Sequence, residues 1–148
     1  MLVHGNEIKK EDIDALTVKK TESIIFDLTD NLGKKNVAKA IKILDDLKSN
    51  KEPMQKILVL LYGHFKKLYI TSLSTAQNIA KNLNLKPNQT FLIRKYQAQA
   101  RYFKPSELRK ILDEFIMLDE NSKNGNIDID IGMTAIICRY FWVYKLPL

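Results

Sequence analysis

The chain has 148 residues, 45% apolar and 28% charged, a balance that suits one soluble globular domain with its own core. Lysine and arginine outnumber aspartate and glutamate by 24 to 17, and the resulting charge of +7 favours contact with a polyanion or an acidic protein. No apolar run approaches the ~18 residues needed to cross a bilayer, and no signal-like stretch follows Met1. One cysteine and two distant histidines (Cys138; His4 and His64) offer neither a disulfide framework nor a metal cluster, and a reducing cytoplasm is the expected compartment.

Helical periodicity runs through nearly the whole chain. Residues 1–20 are thin in apolar content, with Ile8, Ile13 and Leu16 at helical spacing, and read as a short helix followed by a linker. Glu22–Leu32 brings Ile25, Phe26, Leu28 and Leu32 near one face, and Gly33 is expected just past its end, where φ > 0 is tolerated. Asn36 is placed to cap a helix whose stripe is Val37, Ala40, Ile41, Leu44 and Leu47. Pro53 suits the first turn of a long third helix, with Met54, Ile57, Leu58, Leu61, Phe65, Leu68 and Tyr69 in its stripe. Val59, Leu60 and Tyr62 widen that stripe, so this helix is expected at the centre. Gly63 costs ~1 kcal/mol relative to alanine there, and a close helix crossing is the expected compensation. His64 lies within the stripe and reads as a hydrogen-bonded core or half-buried histidine rather than a ligand.

A short helix over Thr75–Leu83 is expected next, then a break at Lys86-Pro87 and a helix from about Asn88 to Tyr102. Lys104-Pro105-Ser106 opens another, with Leu108, Ile111, Leu112, Phe115 and Leu118 inward and Gly125 as its stop. Asp128 or Asp130 can cap a last helix through Trp142. That helix is apolar around most of its circumference, so it is either enclosed or partly open for a partner. Cys138, among apolar neighbours, is expected as a buried, inert thiol. The fold class is all-α, a helical bundle of about six or seven helices.

Catalytic chemistry is not indicated. Neither G-x-x-x-x-G-K-[ST] nor G-x-G-x-x-G occurs, and no serine sits in a nucleophile elbow. The carboxylate pairs Asp45-Asp46, Asp113-Glu114 and Asp119-Glu120 diverge by about 100° on a helix and read as solvated charge. No catalytic, cofactor-binding or metal-binding residue is assigned, and no cofactor is expected.

The segment Ser74–Gln97 can be read as a helix-turn-helix, within a window (Lys81–Lys110) that holds eight bases and one acid. Lys81, Lys86, Arg94, Lys95 and Arg101 are its candidate contacts for nucleic acid or an acidic partner. Against a DNA reader, Phe91, Leu92, Ile93 and Tyr96 crowd the two turns where a recognition helix needs a polar face. A nucleic-acid-binding helical domain using residues 74–102 therefore stands as the alternative reading, beside a basic hairpin packed within a larger bundle.

The order and spacing of several segments carry a resemblance. They are Ile8-Lys9-Lys10-Glu11-Asp12-Ile13, Ile25-Phe26-Asp27-Leu28-Thr29-Asp30, Ala40-Ile41-Lys42-Ile43-Leu44-Asp45-Asp46-Leu47 and Glu52-Pro53-Met54-Gln55-Lys56-Ile57-Leu58. Ile79-Ala80-Lys81-Asn82-Leu83 with Pro87, Lys95-Tyr96-Gln97-Ala98-Gln99-Ala100-Arg101-Tyr102-Phe103, Glu107-Leu108 and Leu118-Asp119 through Lys123-Asn124-Gly125 complete the set. Together they resemble the C-terminal region of the delta subunit of the bacterial DNA polymerase III clamp loader. The resemblance implies that residues 22–148 form a collar-like helical oligomerisation domain and residues 1–21 the end of a preceding lid domain plus linker. The chain would then be a piece of a longer subunit.

The resemblance further implies a non-catalytic role in DNA replication. The collar would pack with the other clamp-loader subunits, of the gamma/tau and delta-prime type. The sliding clamp would be reached only through an N-terminal domain that these residues do not include, and DNA contact would be weak or indirect. The helix-turn-helix lookalike would be a structural corner, and Tyr140, Trp142 and Tyr144 are the expected subunit-interface residues, because aromatic side chains are enriched at such centres.

Overall fold

The computed structural model describes residues 10–141, with side chains from Lys20 onward. Seven α-helices follow in order among them: α1 (Lys10–Gly33), α2 (Val37–Ser49), α3 (Met54–Leu73), α4 (Ile79–Asn82), α5 (Leu92–Ala100), α6 (Pro105–Lys123) and α7 (Ile129–Phe141). Short 3₁₀ turns at Ala76–Asn78 and Pro87–Gln89 precede α4 and α5. The all-α bundle expected from periodicity is what forms.

The centre is α3. It packs against α6 and α5 on two sides, while α1 pairs with α2 and α7 closes the bundle against α6, α1, α2 and α3. Met54, Ile57, Leu58, Leu61, Phe65 and Leu68 of its stripe are all buried. Phe65 is the hub, with ring centroids 5.7 Å from both Phe103 and Phe115 and 6.0 Å from Phe141. One side chain thus joins α3, α6, α7 and the turn after α5 by edge-on and tilted ring contacts.

Local signals set the helix ends. Asn36 Oδ1 accepts from the Lys39 N–H at 3.4 Å at the start of α2, and Glu107 Oε1 accepts from the Lys104 N–H at 3.0 Å behind Pro105 of α6. Asp128 Oδ1 accepts from the N–H groups of Asp130 and Ile131 at 2.9 and 3.2 Å and starts α7. At its other end, α6 closes in a Schellman motif: Asn126 N–H donates to Asn121 O at 2.8 Å and Gly125 N–H to Ser122 O at 3.2 Å, with φ +76° at Gly125.

The same paired bonds end α1, α2 and α4, but the left-handed residues there are Lys35 (φ 63°), Lys51 (φ 62°) and Asn84 (φ 55°). Left-handed backbone costs a residue with a Cβ about 1 kcal/mol. Lys51 is exposed. Lys51→Gly is therefore expected to raise the unfolding free energy by about 0.5–1 kcal/mol in urea titrations. A loss of stability would show that the lysine has contacts outweighing its backbone cost.

Four expectations are corrected. The helix expected at Glu22 is the second half of α1, which runs unbroken from Lys10 because no glycine or proline interrupts residues 10–32. Gly33 ends α1 inside the helix rather than at the left-handed position. A Cβ on it would fall onto Tyr102, 2.8 Å from Cγ, so its smallness admits that ring. Gly63 meets no atom within 4 Å of a built Cβ, so it opens space instead of permitting a close crossing. Cys138 is exposed, on the outward side of α7.

Candidate functional site

A buried polar chain ties three helices together behind the surfaces that matter. His64 (α3) and Gln99 (α5) are 6% and 5% exposed. Gln99 Nε2 donates to Phe26 O of α1 at 3.0 Å, which turns its Oε1 toward His64 Nε2 at 2.6 Å. The imidazole therefore carries its proton on Nε2. Burial holds the His64 pKa down to about 4 against the ordinary 6.5; the Gln99 hydrogen bond opposes this, and the Lys67 charge adds a small further lowering. The ring also stands edge-on to Phe26 at 4.6 Å. This is a core histidine with its bond satisfied, as the sequence suggested.

A cleft of about 300 Å³ opens beside it, lined in part by Glu22, Phe26, Gly63, His64, Lys67 and Tyr96. Burial pushes the Tyr96 hydroxyl pKa up, with the charge of Glu22 adding to it. The cleft lining mixes one carboxylate, one ammonium, the His64 ring, the Tyr96 phenol, the Asn84 and Gln89 amides and apolar groups, with no serine or cysteine among them. Among the described residues no three His, Cys, Asp or Glu side chains converge on a metal position, and no helix is long and apolar enough to cross a membrane.

The basic candidates divide. Arg94 and Lys95 are exposed on α5 and Arg101 is exposed just past its end, and Arg94 and Arg101 flank a shallow depression floored by Gln97 and Ala98. The Lys95 ammonium lies over the rings of Phe26 and Phe91, at 5.5 and 5.9 Å from their centroids. Lys81, on α4, and Lys86, in the turn before α5, are exposed but do not line that depression. The pieces expected as a helix-turn-helix are a four-residue α4 and a nine-residue α5 separated by a 3₁₀ turn. Leu92 and Ile93, at the start of α5, are half-buried against the core.

Tyr140 is half-buried and tied inward: its hydroxyl donates to Glu114 Oε1 at 3.4 Å, and its carbonyl accepts from Lys35 Nζ at 3.1 Å. Trp142 and Tyr144 lie outside the described residues. The apolar groups that do stand open were mostly missed: Val59 (59% exposed), Ile116 and Met117 (56%). Val59 and Ile116, with Tyr62, line a second depression at the α3–α6 seam, and Met117 follows Ile116 on α6. Another open strip runs along α7 as Ile131, Ala135 and Cys138. The signal available was apolar residues off the main stripe: Val59 shows it as a widening, and the adjacent pair Ile116-Met117 cannot face inward together.

Comparison with known proteins gives a family. Residues 22–140 match the model of the DNA polymerase III delta subunit, C-terminal domain. DNA polymerase III subunit delta of Bacillus subtilis (strain 168) is 30% identical over 128 residues, covering 82% of this chain and 36% of that protein. The solved Bacillus subtilis DNA clamp loader delta protein has a TM-score of 0.75 and 24% identity, over 92% of this chain and 41% of that one, a likeness of fold. This chain thus spans little more than a third of the curated relative's length.

Proposed function

Since the chain belongs to the family defined by the C-terminal domain of the DNA polymerase III delta subunit, we propose that it is a non-catalytic, collar-like assembly unit of a clamp loader. It packs against the other loader subunits, of the gamma/tau and delta-prime type, so that the complex can place the sliding clamp during cytoplasmic DNA replication. The observation that carries this reading is the open apolar group at the α3–α6 seam. Val59, Ile116 and Met117 stand in water although α3 and α6 are packed along their length. Apolar residues grouped on an otherwise charged surface mark a protein contact.

Tyr140 and the α7 strip extend the assembly surface in this proposal, since Ile131 is 67% exposed. The exposed ion pairs around them, Arg139–Glu114 at 2.8 Å and Lys48–Asp130 at 3.1 Å, are worth little to stability and fix rim geometry instead.

The test is size-exclusion co-elution with a complete set of loader subunits. The wild-type chain is expected to co-elute. Val59→Glu combined with Met117→Glu is expected to weaken assembly at least tenfold, because a buried unpaired carboxylate costs well over 1.4 kcal/mol. Lys39→Glu, on the exposed side of α2, serves as the charge control. Failure of the wild-type chain to enter the complex, or unimpaired entry of the double variant with fold intact by circular dichroism, would overturn the proposal.

A further inference from the structure

We propose that the cleft over Gly63 is a site for a small zwitterion, a free amino acid whose flat side chain ends in a hydroxyl. The cleft is walled by α1, α3, α5 and the turn after α4. Its volume of about 300 Å³ lies at the small end of ligand pockets and suits a ligand of that size. Glycine inside a helix is destabilising relative to alanine or leucine. At Gly63, in the middle of α3, packing does not demand it, because a Cβ there meets no atom within 4 Å. The missing side chain keeps the floor of the cleft open.

Two side chains more than nine-tenths buried bring an unused polar atom to this space. His64 and Tyr96, 6% and 3% exposed, both line the cleft. The His64 Nε2–H is committed to Gln99 and the ring is neutral at physiological pH, so Nδ1 is a free acceptor. The Tyr96 hydroxyl has no hydrogen-bond partner among the described residues. Among those residues only Thr29 Oγ1 is sealed from solvent without a partner. Nδ1 and the phenol therefore reach open space, and the cleft is the space they share. One ligand hydroxyl satisfies both, donating to Nδ1 and accepting from the phenol. Phe26, edge-on to His64 at 4.6 Å and tilted against Tyr96 at 5.3 Å, gives a ligand ring an apolar wall.

The mouth carries the charges. Glu22 on α1 and Lys67 on α3 are exposed and line different walls of the cleft. Neither has an ion pair among the described residues. An α-ammonium is answered by Glu22 and an α-carboxylate by Lys67. A simple anion or cation would meet one group of its own sign, so the pair selects a zwitterion.

The experiment is an amide NMR titration of the 148-residue chain with free L-tyrosine up to its solubility limit. Saturable shifts are expected around Gly63, His64 and Tyr96. Gly63→Leu fills the floor and is expected to weaken binding by roughly tenfold or more, with the urea midpoint unchanged or raised. Tyr96→Phe is expected to weaken free tyrosine about fivefold and leave free phenylalanine unchanged, since only the hydroxyl partner is lost. This second variant decides the matter independently should the bulkier substitution disturb α3. Tyramine and hydroxyphenylpropionate, each lacking one charge, are expected to bind wild type about threefold more weakly than tyrosine. Four results would overturn the proposal: no saturable shift, wild-type affinity in folded Gly63→Leu, equal losses for tyrosine and phenylalanine in Tyr96→Phe, or tyrosine bound no better than either analogue.

Discussion

Phe65→Ala is expected to lower the unfolding free energy by about 4 kcal/mol, the largest effect of any single truncation in this bundle. The ring is fully buried and touches three other aromatic rings drawn from different parts of the chain. Its loss removes the transfer free energy of a benzyl group and leaves a cavity whose walls are themselves stiff rings. Those walls cannot collapse into the space without leaving their own rotamers. Urea unfolding followed at 222 nm measures it, and a loss below ~1 kcal/mol would mean that the cluster repacks freely and α3 is not the hub.

Stability is expected to fall by about 3 kcal/mol between pH 6.5 and 4 through His64 alone. The folded imidazole titrates at about 4 and the unfolded one at the ordinary 6.5. Above pH 6.5 both states carry a neutral ring and the contribution is complete. As pH drops below 6.5 the unfolded chain takes up the proton first, so the native state loses ground until its own ring protonates near 4. The gap, at about 1.36 kcal/mol per pH unit, sets the size. His64→Gln keeps a donor facing Gln99 and removes the titration. Denaturation of both proteins at pH 7, 5.5 and 4.5 isolates the effect from the surface carboxylates. Parallel pH dependence in the two would refute it.

Much of this was legible in the chain. The stripe from Met54 to Leu68, the Asn36 cap, the Pro105 start and the Gly125 stop each rest on a local rule, and each is where that rule puts it. What was misread rests on long-range packing. Gly33 looks like a terminator because α1 ends there, yet its hydrogen is needed by Tyr102, 69 positions on in sequence (102 − 33). Residues 10–20 looked like a short helix running into a linker because they are poor in apolar side chains, but no residue among them breaks a helix. Gln99 gave no sign at all, since glutamine on a helix usually faces water. Ile116 and Met117 show why outward apolar groups escape a pattern search: the search looks for the stripe that is buried.

The amide of Gln99 has a use that reaches outside the core. An apolar contact tolerates a helix turned by some degrees about its axis, whereas a hydrogen bond to Phe26 O at one end and His64 at the other does not. Turning α5 by one residue would swing its face through about 100° and carry Arg94 toward the bundle. Gln99 therefore acts as a key that sets the angular phase of everything α5 shows to solvent. Its replacement by leucine should blur the outward display while leaving the bundle folded, so a residue that no partner can touch governs what partners meet.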